Sequence, residues 1–428
     1  ALSRLCKVWV CCGLASRVAI FGLARHNRKG ILFSLLHTHE CPMPTETPSF
    51  FPPRQQPLLI RLVQSVSYLA LQRLYRCRLV VSEEDVARLR AIDETRVVYV
   101  CNHPTLEDGV AVFCFAARVG QLWHYIVAWE AFRGLQGKFL QWMGCYSIRR
   151  GLGDRASIAQ TLSLLKQPRA RVVIFPEGGC SYQNDTVMPF RSGAIQMPLQ
   201  VVAQLAKKEP DTDFYVVPIS LKYRYTEPMT TVIEHTLRGL EQKLGVVPTG
   251  ADFYGRLVAI ASLVTARIEA EYGLANAPDL DWNQRIHRLR HHVITQCEQQ
   301  LGLAHNGAPI RERVYRIQAL LESEESKAAE DDALYWTTVR LLNFDAIYDG
   351  YVAADPTPER FLDTLMRLER EVYQKKHIQP KAHRQAVFRV GEPISLKAYV
   401  QNFRRDKAGT VEQLTERLRT VVQENLAR

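Results

Sequence analysis

His103 is the residue of this chain whose position most favours acid–base chemistry. It comes shortly after the apolar run 97–101, and Pro104 disfavours helical backbone at the residue before it. Asp108 stands five residues after His103, where a helical pattern starts. With His103 on the turn and Asp108 in the first turn of the helix, the carboxylate can reach back to the imidazole. A histidine held in this way has a fixed tautomer and raised basicity, so the pair predicts a general base for a hydroxyl group.

The same pair fits a plainer interpretation, a capping histidine followed by an unrelated aspartate at a helix start. The sequence has 12 histidines, and an aspartate at this spacing is expected about once by chance. Both interpretations stay open on these two residues alone.

Two other stretches carry residues suited to holding a ligand. Arg149 and Arg150 follow an apolar stretch, and adjacent guanidinium groups can clamp a phosphate, although ordinary surface arginines are the alternative. At 175–178 the sequence Phe-Pro-Glu-Gly ends a strand pattern. Its proline fixes the backbone and Gly178 lets the backbone approach a ligand, so we expect Glu177 to point into a cleft. A tight turn without a binding role is the alternative.

The elements that must position these residues alternate between strand and helix patterns. Continuous β-branched runs are typical of strands buried on both faces, and most of them are separated by segments of helical periodicity. We therefore predict an α/β fold, with a mixed, mostly parallel sheet flanked by helices. The runs lie at 78–81, 97–101, 171–175, 214–223 and 385–396.

Composition narrows the possible partners and the compartment. The formal net charge is +11, which favours an anionic partner such as a nucleic acid, an acidic membrane surface or a phosphorylated substrate. Ten cysteines without any Cys-x-x-Cys pair predict reduced thiols in a reducing compartment. The apolar stretch at 8–24 is interrupted by Arg17, so no membrane-spanning helix is predicted.

An amphipathic helix is predicted at 58–76. Its apolar residues recur at helical spacing, and its other residues include arginines that suit a lipid headgroup region. A helix that caps the protein core fits the pattern equally well. The apolar residues are Leu59, Leu62, Val63, Val66, Leu69 and Ala70, and the arginines are Arg61, Arg73 and Arg76.

Four motifs in this order resemble those of the glycerolipid (lysophosphatidate-type, 1-acylglycerol-3-phosphate) acyltransferase superfamily. The first resembles the Asn-His-x4-Asp block, the second an Ile-x-Arg block, the third a Phe-Pro-Glu-Gly block and the fourth a Val-Pro-Ile strand. A later stretch, VGEPISL, is similar to the closing strand of such domains. The motifs are NHPTLED (102–108), GCYSIRRG (144–151), VVIFPEGG (172–179) and VVPISLKY (216–223).

The resemblance implies a reaction and a role for each motif. In the family the histidine is the general base on an acceptor hydroxyl, which attacks the thioester of acyl-CoA or of an acyl-carrier protein. His103 and Asp108 are thus implied to be catalytic. Arg150, Glu177 and Gly178 are implied to bind the acceptor, Arg149 stays a candidate for the phosphate from its own position, and no metal or other cofactor is expected.

Two positions depart from the family pattern. The third block usually continues Thr-Arg-Ser, whereas this chain has Gly179, Cys180 and Ser181, so a basic residue for the acceptor's phosphate is missing. Trp129 stands where a lysine is common. Either Arg149 takes the place of the missing basic residue, or the acceptor is not a glycerol phosphate.

The resemblance divides the chain into five expected segments. Residues 1–54 are a leader, expected to be disordered or a wrongly assigned start, and 55–95 hold the amphipathic helix and the first strand. Residues 96–235 form the acyltransferase catalytic domain. Residues 236–384 are a helical insert, and 385–428 supply a strand and a helix that complete the catalytic domain.

Taken together, the sequence predicts an O-acyltransferase that acts on a glycerolipid acceptor such as lysophosphatidate. We expect a peripheral membrane protein on the cytoplasmic side, with a lipid acceptor and an acyl thioester as partners, a carrier protein as an optional donor, and no nucleic acid. The alternatives are a non-phosphorylated lipid or glycolipid acceptor and a non-catalytic membrane-binding scaffold. A serine hydrolase is disfavoured because no Gly-x-Ser-x-Gly elbow occurs.

Overall fold

One mixed sheet organises the chain in the computed structural model, which describes residues 49–428 apart from short gaps. The gaps are at 210–211, 248–251, 276, 278, 306, 324–328, 345–346, 348 and 376–377. The leader expected at 1–54 therefore lies almost entirely outside the described residues.

Eight strands form the sheet within these described ranges. Their order is β1-β7-β6-β2-β5-β3-β4, and β8 pairs with β6. β7 and β8 run antiparallel to β6, whereas the other neighbouring pairs are parallel. The predicted fold class is confirmed. The strands are β1 (Cys77–Val80), β2 (Arg96–Cys101), β3 (His124–Ala128), β4 (Cys145–Ile148), β5 (Arg171–Ile174), β6 (Phe214–Tyr225), β7 (Arg384–Val390) and β8 (Ile394–Ser395).

The central strands are buried on both faces, as their continuous apolar runs predict. Along β2, Val97, Tyr99 and Cys101 belong to the core on one face of the sheet, whereas Val98 and Val100 belong to the core on the other. This alternation follows from the two-residue period of a strand. Strands β3 and β4 were not predicted. They lie at one side of the sheet. Only one residue of β3 is buried, and β4 is four residues long and includes Ser147, so neither has the long apolar run of a central strand.

Helices cover both faces of the sheet, and a further group lies between β6 and β7. The buried side chains of that group form a core of their own, at the position of the expected helical insert. Whether it is a separate domain stays a prediction. The helices are α1 (Pro57–Tyr75), α2 (Glu83–Ala91), α3 (Asp108–Val119), α4 (Gly134–Trp142), α5 (Arg155–Lys166), α6 (Gly193–Leu205), α7 (Thr230–Leu244), α8 (Phe253–Glu271), α9 (Trp282–Gln300), α10 (Ile310–Ser323), α11 (Ala329–Phe344), α12 (Tyr351–Ala354), α13 (Pro358–Val372), α14 (Val400–Arg405) and α15 (Lys407–Ala427).

The predicted amphipathic helix is present as α1, and its apolar stripe is divided: Leu59 and Val63 pack against the core, whereas Leu62, Val66 and Leu69 are exposed. The buried residues are Ile60, Gln64, Ser67 and Leu71, and the Gln64 amide donates to the backbone oxygen of Gln121. Hydrogen bonding lets a polar side chain face the core, which apolar periodicity cannot anticipate. Several leucines therefore point outwards from α1.

None of the described helices combines the length and the apolar character needed to cross a bilayer.

Candidate active site

The predicted site residues meet at one edge of the sheet. His103 follows β2, Glu177 follows the adjacent strand β5, and Arg149 and Arg150 follow β4. The carboxyl ends of parallel strands lie at the same edge, which is where α/β sheets bind ligands. The fold thus brings together motifs that are far apart in the sequence.

The contact expected between His103 and Asp108 is present. His103 Nδ1 lies 2.7 Å from Asp108 Oδ2. Asp108 is the first residue of α3 and is fully buried, whereas the side chain of His103 is 20% exposed. With the Nδ1 proton directed to the carboxylate, Nε2 of the neutral imidazole keeps a lone pair for a proton from another group.

The carboxylate of Asp108 has three further hydrogen bonds. Thr105 donates its backbone N–H to Oδ2 and its hydroxyl to Oδ1, at 2.9 and 2.7 Å. Tyr223, on β6, donates its hydroxyl to Oδ1 at 2.8 Å. The carboxylate is therefore fixed from three directions. Sequence reasoning missed Tyr223, since 115 residues separate it from Asp108.

His103 is more basic than an ordinary histidine. Burial opposes the charged imidazolium, but the neighbouring sulfur of Cys180 and the carboxylate of Asp108 outweigh it and raise the pKa of His103 well above 6.5. Its ring also stacks on Phe175, with 4.4 Å between the ring centroids. The site therefore combines a strong base with a fixed ring orientation.

The turn that carries His103 is anchored by two side chains. Asn102 exchanges two hydrogen bonds with the backbone of Leu221, at 2.9 and 2.8 Å, and so prolongs the pairing of β2 with β6. Glu177 accepts a hydrogen bond from the backbone N–H of His103 at 2.7 Å and another from Met188 at 3.2 Å.

Glu177 was expected to point into a cleft, and the structure corrects this orientation. Its side chain is directed at backbone amides, the residue is 3% exposed, and burial raises its pKa to about 7. Gly178 adopts a φ of +74°, and a Cβ there would lie 2.5 Å from the guanidinium carbon of Arg191. Glu177 and Gly178 therefore shape the loop at the site, and contact with an acceptor stays a prediction for both.

Arg149 and Arg150 flank a small depression beside the 3₁₀ turn Trp129–Ala131. The guanidinium carbon of Arg149 lies 4.8 Å from the Trp129 ring centroid. Arg150 forms an ion pair with Glu130 and lies over the Tyr315 ring, 4.3 Å from its centroid. The two guanidinium groups are thus held by neighbouring side chains, and phosphate binding stays a prediction.

Helix α10 of the helical group touches both the second and the third motif, which the sequence did not predict. A Cβ on Gly179 would lie 1.8 Å from the hydroxyl oxygen of Tyr315, and one on Gly151 would lie 2.3 Å from the backbone nitrogen of Arg316. Arg311 donates to the backbone oxygen of Gly179 at 3.3 Å. Both glycines are therefore needed for the close approach of α10, and no local sequence signal identifies their partners.

Cys180 lies against the catalytic pair. Its sulfur is 3.4 Å from His103 Nε2, and the residue is 8% exposed. The sequence singled out this position only because it replaces a basic residue. The sulfur also lies 3.8 Å from Nδ1, so the thiol packs over the imidazole ring and not on one of its nitrogens.

Comparison with protein families agrees with this arrangement. Residues 78–222 match the family model described as Acyltransferase, and this confirms the resemblance of the motifs to lysophosphatidate-type acyltransferases. The matched segment runs from β1 into β6 and contains all the predicted site residues. No curated protein matches the sequence significantly.

Proposed function

We propose that this chain, which carries an acyltransferase-family domain at residues 78–222, transfers a fatty acyl group from an acyl thioester to the hydroxyl of a glycerolipid such as lysophosphatidate. The donor is acyl-CoA or an acyl-carrier protein. The observation that carries the proposal is the 2.7 Å contact between His103 Nδ1 and the buried carboxylate of Asp108, at the sheet edge where the family motifs meet.

In this proposal His103 is the general base. Its Nε2 takes the proton of the acceptor hydroxyl as the hydroxyl oxygen attacks the thioester carbonyl carbon. The C–S bond then breaks, and the imidazolium returns the proton to the departing thiolate. Asp108 stabilises the imidazolium in between, and a positioned base of this kind contributes about 10²- to 10⁴-fold to the rate.

A phosphorylated acceptor is supported by the basic residues around the site. Arg149 and Arg150 border the depression that follows β4, and Arg311 reaches the loop after β5. Guanidinium groups suit a phosphate because they offer bidentate hydrogen bonds. The ion pair of Arg150 with Glu130 instead favours the second candidate, a lipid or glycolipid acceptor without a phosphate.

Peripheral membrane binding on the cytoplasmic side is part of the same proposal. On α1, Leu58 is 88%, Leu62 is 62% and Leu69 is 58% exposed. Apolar side chains on a helix surface, together with a net charge of +11, suit an anionic bilayer interface. The free thiols of the described cysteines suit a reducing compartment.

An acyl-transfer assay tests the proposal. The purified chain would be incubated with acyl-CoA or acyl-carrier protein and with lysophosphatidate, a monoacylglycerol or a glycolipid, and the lipid products would be identified by mass spectrometry. We expect diacylated product from lysophosphatidate and none with His103→Ala. Product only from a neutral acceptor would establish the second candidate, and a folded chain without product from any pair would favour the scaffold.

A further inference from the structure

The helical group between β6 and β7 contains a cavity of about 440 Å³. Its walls come from α8, α11, the end of α13 and the residues shortly after α13. A volume of this size is typical of pockets that bind small molecules and cofactors. Among the described residues that line the cavity, none belongs to the four motifs, so it is distinct from the depression beside Arg149 and Arg150.

Asn343 contributes a buried hydrogen-bond acceptor to the cavity wall. The residue is 2% exposed, and its Nδ2 donates to the backbone oxygen of Arg367 at 3.0 Å. That bond fixes the orientation of the amide, and the remaining atom, Oδ1, has no donor in the described part of the chain. A buried acceptor without a donor is costly. A ligand that places an N–H group there would satisfy it.

The wall also carries two cations that no described carboxylate neutralises. Arg340 pairs with both acidic residues of the wall, at 2.8 Å from Glu271 and 2.8 Å from Glu371. Arg370 and Lys375 instead lie over tyrosine rings. Their charges are therefore available to an anion, and guanidinium and ammonium groups both bind phosphate.

Trp336 adds an aromatic side chain to the same wall. Indole rings are surfaces on which nucleic-acid bases stack. The exocyclic amine of adenine supplies the N–H group that Asn343 Oδ1 lacks, and phosphate groups suit Arg370 and Lys375. The chemistry of the wall thus matches a phosphorylated adenosine.

The cavity adjoins the catalytic loop through Tyr182. The guanidinium carbon of Arg370 lies 5.3 Å from the Tyr182 ring centroid, and that of Arg367 lies 3.3 Å from it. Tyr182 comes two residues after Cys180, whose sulfur is 3.4 Å from His103 Nε2. In CoA the pantetheine arm separates the nucleotide from the thioester. A nucleotide site is therefore expected next to the catalytic loop and not beside His103 itself.

We propose that this cavity binds the phosphorylated adenosine of acyl-CoA, which makes CoA and not a carrier protein the carrier of the donated acyl group. A carrier protein presents its acyl group on phosphopantetheine and has no adenine to stack on Trp336 or to donate to Asn343. The inference rests on the proposed acyl transfer and specifies its donor.

Calorimetric titration of the full chain tests the site without any turnover. The probes are CoA, 4′-phosphopantetheine, which lacks the nucleotide, and deamino-CoA, whose purine has an oxygen in place of the amine. We expect CoA to bind at least ~10-fold more tightly than either, since deamino-CoA leaves Asn343 Oδ1 unpaired. Equal Kd values for the three compounds would overturn the proposal. Tighter binding of ATP than of CoA would assign the cavity to a free nucleotide and overturn the donor assignment.

Two variants locate the binding. Trp336→Ala and Lys375→Gln should each raise the Kd of CoA about 10-fold, through loss of stacking and of a phosphate contact. The matched controls are Trp282→Ala and Lys243→Gln, in the helical group but outside this cavity, and both should bind CoA like the unchanged protein. Lys375 is exposed, so its variant keeps the test decisive if Trp336→Ala fails to fold. Equal affinities in cavity and control variants would overturn the proposal.

Kinetics separates this inference from the proposed function. The ratio of kcat/KM for palmitoyl-CoA to that for palmitoyl-pantetheine should fall about 10-fold in Lys375→Gln and stay constant in Lys243→Gln. Product formation with an unchanged ratio in Lys375→Gln would overturn the nucleotide site and leave acyl transfer intact. CoA binding that depends on Lys375, without product from any donor and acceptor, would overturn the proposed function while the nucleotide site stands.

Discussion

The hydroxyl of Tyr223 donates a hydrogen bond of 2.8 Å to Oδ1 of Asp108. It joins β6 to the start of α3 and fixes the carboxylate that orients His103. Asn184 supports the same tyrosine, because its amide exchanges two hydrogen bonds of 2.6 Å with the Tyr223 backbone. The orientation of the proposed base therefore depends on residues well outside its own motif.

Tyr223→Phe should slow acyl transfer by roughly 10-fold while the protein stays folded. A hydrogen bond to a charged group is worth about 1.5–3 kcal/mol, and the remaining bonds to Asp108 keep part of its orientation. The measurement is kcat/KM with lysophosphatidate. Tyr99→Phe is the matched control, since it removes a buried hydroxyl that donates to neutral Gln121 at 2.7 Å. Equal losses in both variants would indicate a general packing effect.

The rate should rise with pH through the pKa of His103, because only the neutral imidazole can take a proton. Its raised pKa places this rise above pH 6.5. Asp108→Asn removes one cause of the elevation, so we expect the rise at lower pH and a rate lower by ~10² or more. Rate profiles of kcat/KM from pH 5 to 9 provide the test. A profile that does not shift in Asp108→Asn would contradict the assignment of His103 as the base.

Arg150→Ala should increase the KM for lysophosphatidate by about 10- to 100-fold and leave the KM for the thioester donor nearly unchanged. The expected loss is that of a charge-assisted contact with the phosphate. Glu130→Gln is the companion variant, because it removes the ion pair with Arg150 and retains the guanidinium. An equal change in KM for lysophosphatidate and for a non-phosphorylated analogue would contradict a contact between Arg150 and the acceptor's phosphate.

Replacing Leu62 and Leu69 together by Gln should weaken binding to anionic vesicles with little change in melting temperature. Both side chains are largely exposed on α1, so their replacement removes few contacts within the folded protein. It does remove apolar surface that α1 would bury in the bilayer interface. Vesicle flotation measures the bound fraction. Val247→Gln is the control, since Val247 is 79% exposed after α7. Unchanged flotation of the double variant would indicate that α1 serves only as a cover of the core.

The sequence predicts the contact at the centre of the site, because the two residues are close together in the chain. The residues around them come from distant parts of the chain and cannot be predicted in the same way. The spacing of His103 and Asp108 predicts their contact, because His103 lies on the turn after β2 and Asp108 lies in the first turn of the helix that follows. Tyr223 and Tyr315 reach the site from β6 and α10, and nothing in their own neighbourhoods identifies the residues that they meet. Glu177 shows a further limit, since the sequence places it at the site but cannot tell whether its carboxylate faces a ligand or the backbone.

The helical group between β6 and β7 occupies the place of a hairpin turn. Tyr225 pairs with Arg384 at the ends of these antiparallel strands, and Thr226 donates its N–H to the oxygen of His383 at 3.2 Å. The chain thus leaves and re-enters the sheet at adjacent points. Because loop-closure entropy grows only logarithmically with length, exchanging residues 227–382 for a short turn should preserve the strand register. It would also remove the contacts that Tyr315 and Arg311 make with the loop after β5. The sheet that carries the motifs and the residues that form one wall of the site therefore lie on separate segments of the chain.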